Sequence, residues 1–221
     1  PIHLPFIIFS IYFFMKSFTS NRKWLCYILV SILLGFVISI RFFVTGGVIL
    51  FAMIVTLFIF RDLKNMFKFL FTLPLSLVVL FLSYTKTISD SHSLFQVFSV
   101  QKYILAYHKS AFTNAFSFWD LILFNRWHTW WGERKILTDS NWIIFWPIAT
   151  LSSLLGLIMS FIKRVKLNQS ETIVVLWVGL YCLMLSTGYT STRYFFPLMP
   201  YLYILMVWAF IKLYEVLKKT K

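Results

Sequence analysis

Six stretches of this chain contain no Asp, Glu, Lys or Arg: residues 24–40, 42–60, 69–84, 142–162, 172–187 and 195–211. Each approaches the roughly 20 apolar residues that a helix needs to cross a hydrocarbon core about 30 Å thick. With no water in that core, the backbone must satisfy its own hydrogen bonds, and a helix does so within one segment. A shorter apolar run, 4–15, reads as a partial span. The runs therefore predict an all-α fold: a polytopic membrane helix bundle of about six to seven transmembrane helices, with an external, interfacial helical loop. Composition agrees, with 60% hydrophobic and 13% charged residues, where a soluble domain carries about 25% charged. An ordinary soluble domain, a disordered tail and a disulfide scaffold are excluded.

The formal charge of +14 is organised by the same runs. Lys16, Arg22 and Lys23 follow the first run, and Arg61, Lys64 and Lys68 follow the third. Lys163, Arg164 and Lys166 form another cluster, and Lys212, Lys218, Lys219 and Lys221 close the chain. These clusters alternate with two turns that each hold one basic residue, Arg41 and Arg193. By the positive-inside rule the clusters are cytoplasmic. The C-terminus is then inside and residues 85–141 are external. The charge reads as an orientation signal, so no nucleic-acid partner is expected, and membrane lipids are. The division is residues 1–84 as transmembrane helices, 85–141 as the external loop, and 142–221 as three more spans and a basic tail. The chain starts at Pro1 with no basic leader before the first run, and is expected to be a piece of a longer protein with its first span truncated. Cys26 and Cys182 lie inside apolar runs and read as packing residues.

Residues 85–141 are where chemistry could lie. Leu94, Val97, Phe98, Ile104 and Leu105 recur at helical spacing among Gln101, Lys102, His108 and Lys109, the pattern of an amphipathic helix lying in the interface. Residues 116–124 are apolar but too short to span. A dense cluster follows, with Arg126, Trp127, His128, Trp130, Trp131 and Glu133 among its residues. One reading is an aromatic belt at headgroup level. The other is a substrate loop, with aromatic faces for sugar rings and Arg for phosphate. His3, His92, His108 and His128 are scattered without paired ligand spacing, so no metal and no cofactor is expected. Asp90, Asp120, Glu133 and Asp139 are the external acids, and nothing in their spacing selects a base. Arg41 and Arg193, each alone in a tight external turn, either snorkel to headgroups or face a lipid-linked phosphate.

The segment Ser191-Thr192-Arg193-Tyr194-Phe195-Phe196-Pro197-Leu198-Met199-Pro200 resembles an element of the GT-C membrane glycosyltransferases. In the branch of dolichyl-phosphate-mannose–protein mannosyltransferases and lipid A aminoarabinose transferases, an Arg-Tyr followed by two spaced prolines opens a late helix. Residues Gly35 to Phe42 are similar to an earlier element, a glycine-containing helix that ends on a basic residue, here Arg41. The family places proline next, where this chain has Phe42.

The resemblance implies transfer of a sugar from a polyprenyl-phosphate donor to a lipid, glycan or protein acceptor on the outer face. It implies donor-phosphate roles for Arg193, Tyr194 and Arg41, and substrate-side roles for the Arg126 to Glu133 cluster. The family's catalytic carboxylate follows its first helix, upstream of the resembling region, so the catalytic residue is not assigned here and this stretch alone is expected to be inactive. The alternatives are a flippase or transporter for a lipid-linked saccharide, and a polysaccharide polymerase or ligase. The absence of acids from the spans argues against ion coupling.

Overall fold

The structure is a computed structural model that describes residues 3–40, 43–110, 116–128, 136–162, 165–187 and 192–219. At 91, 104–110, 127–128, 192–193, 213 and 215–219 it describes the backbone only. The elements in chain order are α1 (Leu4–Thr19), α2 (Lys23–Ile40), α3 (Phe43–Ile59), α4 (Leu63–Thr72), α5 (Pro74–Ser83), α6 (Thr85–Ser91), α7 (Gln96–Ser110), α8 (Ser117–Phe124), β1 (Trp127–His128), β2 (Ile136–Leu137), α9 (Phe145–Ile162), α10 (Gln169–Ser186), α11 (Thr192–Phe195) and α12 (Met199–Lys219). The protein is an all-α membrane helix bundle, and the two short strands are a local hairpin within it.

Among the described residues, four helices are long and apolar enough to cross a membrane: Lys23–Ile40, Leu63–Ser83, Phe145–Ile162 and Gln169–Ser186. Leu4–Thr19, Phe43–Ile59 and Met199–Lys212 are shorter apolar helices. The expected six full spans and one partial span thus appear as four helices of full length and three shorter ones, Leu4–Thr19 standing at the partial span. Two differences have clear causes. Asp62 caps α4 by accepting from the Asn65 N–H, so the run at 69–84 extends back to Leu63 through an amphipathic turn carrying Lys64 and Lys68. The run at 195–211 is broken near Pro197, and α12 opens at Met199 with Pro200 in its first turn. Phe71 is 78% exposed and Phe161 87%, surfaces that suit lipid rather than water.

The chain divides into two compact units. The first is Pro1–Ser110 with Gln169–Leu180, and the second is Ala111–Asn168 with Tyr181–Lys221. In the first unit α2 is central and packs on α1 and α5. Gly35 makes the α2–α5 approach possible: a Cβ there would lie 2.6 Å from Val79 Cβ and 2.8 Å from the Ser76 carbonyl oxygen. Short links join some of the hydroxyl groups inside. Thr72 Oγ1 donates to the Phe69 carbonyl at 2.7 Å and accepts from Ser31 Oγ at 2.8 Å. Such small hydroxyl residues join helices where lipid offers no hydrophobic drive.

In the second unit α9 lies along α12. Gly156 faces Ala209 so closely that a Cβ at 156 would fall on the alanine side chain. Ser153 Oγ sits 2.6 Å from the Ala149 carbonyl oxygen and 3.1 Å from that of Leu202, linking the two helices.

Candidate functional site

The second unit gathers its polar and aromatic groups around α8. This helix has only eight residues, and residues with positive φ flank it: Phe116 at 68° and Asn125 at 54°. Asparagine visits that region readily, whereas phenylalanine rarely does. Phe116 is held there from both sides. Its N–H donates to the Ser186 carbonyl at 3.0 Å, and its own carbonyl accepts from Trp119 N–H at 2.8 Å. Trp119 Nε1 donates to Ser186 Oγ at 2.8 Å, which in turn donates to the Cys182 carbonyl at 2.7 Å. The start of α8 is thereby clamped to the end of α10.

The buried face of α8 carries Phe118, Leu121 and Ile122. Phe118 meets Phe195 edge-on at 5.8 Å between ring centroids, and Phe195 meets Trp146 at 5.0 Å. Trp146 also meets Phe196 at 6.2 Å. Phe195 is fully buried and is the last residue of α11, the short helix whose backbone carries Arg193. One aromatic cluster therefore anchors α8, the start of α9 and the Arg-Tyr element. Trp142 Nε1 adds a bond to the Ile122 carbonyl at 2.9 Å.

A hairpin leaves the far end of α8. Asn125 Oδ1 accepts from Asp139 N–H at 2.8 Å, and Asn125 Nδ2 donates to the Asp139 carbonyl at 3.3 Å. Beyond this clasp Trp127 pairs with Leu137 and His128 with Ile136, antiparallel. Arg126 N–H donates to the Asp120 carbonyl at 3.1 Å, and its side chain is exposed. Asp139 Oδ1 accepts from the backbone and side-chain N–H groups of Asn141, at 2.8 and 3.1 Å. Asp139 thereby shapes a turn.

The expected site residues fall as follows. Tyr194 is half-buried on α11, beside the buried Phe195. Arg193 belongs to α11 by backbone, and Trp127 and His128 to β1. Trp130, Trp131 and Glu133 lie outside the described residues, in the segment between β1 and β2, and Arg41 also lies outside them. Phe195 of the Arg-Tyr element packs on Phe118 near the start of α8, and the Arg126 hairpin continues from the end of that helix. Among the described residues no group of three His, Cys, Asp or Glu could hold a metal ion.

Several side chains that order the site escaped the sequence reading. Trp119, Ser186, Asn125 and Trp142 act through partners 14 to 67 residues away. In the first unit, Tyr84 OH donates to the Ser39 carbonyl at 3.4 Å and accepts from Gln101 Nε2 at 3.1 Å. This relay steadies the end of α2, two residues before Arg41. An Asn or Asp beside a predicted turn was the one local signal for any of them.

No family model matches the sequence, and no curated protein and no solved structure matches it.

Proposed function

We propose that the protein is a membrane glycosyltransferase that moves a sugar from a polyprenyl-phosphate donor to an acceptor on the outer face of the membrane. The observation that carries this reading is the contact of Phe195 with both Phe118 and Trp146. Through Phe118 it ties the Arg-Tyr element to α8, the helix from which the aromatic, basic hairpin continues. A phosphate ligand and a sugar ligand of one molecule need such neighbouring supports. The alternation of basic clusters supports a cytoplasmic C-terminus and an external 85–141.

In this reading a base takes the proton of the acceptor hydroxyl, and the oxygen attacks the anomeric carbon. The bond from that carbon to the phosphate oxygen breaks, and the lipid phosphate leaves with the electron pair. Arg193 meets its growing charge, with Tyr194 as a further donor. Arg126, Trp127, His128, Trp130, Trp131 and Glu133 contact the sugar and acceptor side.

The test is Arg193→Ala in the full-length protein, assayed for sugar transfer from a polyprenyl-phosphate sugar. Loss of one donor to a developing anion lowers turnover by about 10²–10³-fold. Unchanged donor affinity and turnover would remove Arg193 from the phosphate site.

A further inference from the structure

At the other end of α9 and α12 from the aromatic cluster, the second unit carries a groove of about 580 Å³ counting its open side. Its walls include Leu155, Gly156, Met159, Val165, Ala209 and Lys212. The missing side chain at Gly156 sets its floor, because the helices meet there against Ala209. Val165 roofs one end: after α9 stops, its N–H donates back to the Ser160 carbonyl at 2.8 Å. The lining is apolar except for two hydroxyls, of Ser152 and Ser160, and Lys212, and Ser160 Oγ is committed to the Gly156 carbonyl at 2.8 Å.

The charge around the groove is predominantly positive, with Glu215 the one acid between Lys212 and the end of α12 in sequence. Lys212 lies in its wall, and Lys166, next to Val165, is exposed. In sequence, Lys163 and Arg164 precede Val165, and Lys218, Lys219 and Lys221 follow Lys212. A neutral apolar ligand would gain nothing from this rim. An acyl chain ending in an anionic headgroup matches both parts, since basic pockets between membrane helices suit anionic headgroups.

We propose that this groove seats one anionic glycerophospholipid, its acyl chain over Gly156 and Ala209 and its phosphate at Lys212 and Lys166. The seat stands on the α9–α12 geometry and is independent of the reaction at the opposite end.

The experiment is native mass spectrometry of the detergent-solubilised protein with phosphatidylglycerol or phosphatidylcholine of identical chains. Phosphatidylglycerol is retained preferentially. Lys212→Gln and Lys166→Gln each weaken its retention about fivefold, the worth of one basic residue near an anionic surface. Met159→Trp, at a partly exposed wall position, fills the groove and also lowers retention, while circular dichroism stays that of the parent. Equal retention of the two lipids, or phosphatidylglycerol retention untouched by all three changes, overturns the proposal. Displacement of the lipid by inorganic phosphate alone overturns it too, because it reduces the site to an anion site with no acyl seat.

Discussion

Replacing Phe195 by alanine tests the platform that the functional reading needs. The ring is fully buried and touches Trp146 at 5.0 Å and Phe118 at 5.8 Å. Each aromatic pair contributes about 0.5–1.5 kcal/mol beyond area burial, so two pairs amount to about 1–3 kcal/mol. The vacated space adds a cavity cost, and Phe→Ala in a packed core totals about 3–5 kcal/mol. Where lipid rather than water surrounds the unfolded reference, the transfer part shrinks, so the lower end of that range is expected. Phe195→Leu keeps most of the volume and should lose chiefly the ring pairs, about 1–3 kcal/mol. Unfolding in mixed micelles by rising dodecyl sulfate measures both. Hydrogen exchange at the Leu198 amide, bonded to the Phe195 carbonyl at 2.9 Å, reports locally. An alanine variant within about 1 kcal/mol of the parent, with that amide still protected, refutes the claim that the cluster anchors α11.

Two further changes probe other joints. Asn125→Ala removes both bonds to Asp139 and places alanine at a φ of 54°. A cost of about 1–3 kcal/mol is expected, with faster exchange of the Asp139 amide, whereas unchanged exchange contradicts the clasp. Gly35→Ala drives a methyl to 2.6 Å from Val79 Cβ. Overpacking of that kind costs about 1–3 kcal/mol and should lower the thermal midpoint, and no change contradicts the close α2–α5 contact.

The helices were largely legible because charge-free runs of membrane length leave the backbone few choices. Boundaries were less so. The run from 69 looked like a whole span, but Asp62 begins its helix earlier, and a rule that stops at Lys68 cannot see an amphipathic first turn. The run from 195 looked continuous, yet a break near Pro197 divides it into α11 and α12, with Pro200 in the first turn of α12. The candidate site was legible as composition only. Residues 116–124 read as a short interfacial segment, and α8 is a short helix. Its clamp is another matter: Trp119 and Ser186 are 67 residues apart, and no local period records such a pair. The meeting of Phe118 with Phe195 is equally long-range, so the link between α8 and α11 could not be read from sequence. The lipid groove depends on Gly156 meeting Ala209, and glycine inside an apolar run gives no hint of its partner.

The most direct test of the central claim is to reconstitute the full-length protein in vesicles with a labelled polyprenyl-phosphate sugar and a candidate acceptor pool. The account predicts that label leaves the lipid and appears in a new glycosidic bond, with the reaction falling sharply in Arg193→Ala. Label that crosses the bilayer while staying on its lipid, with no new bond formed, contradicts a transferase and makes the protein a flippase.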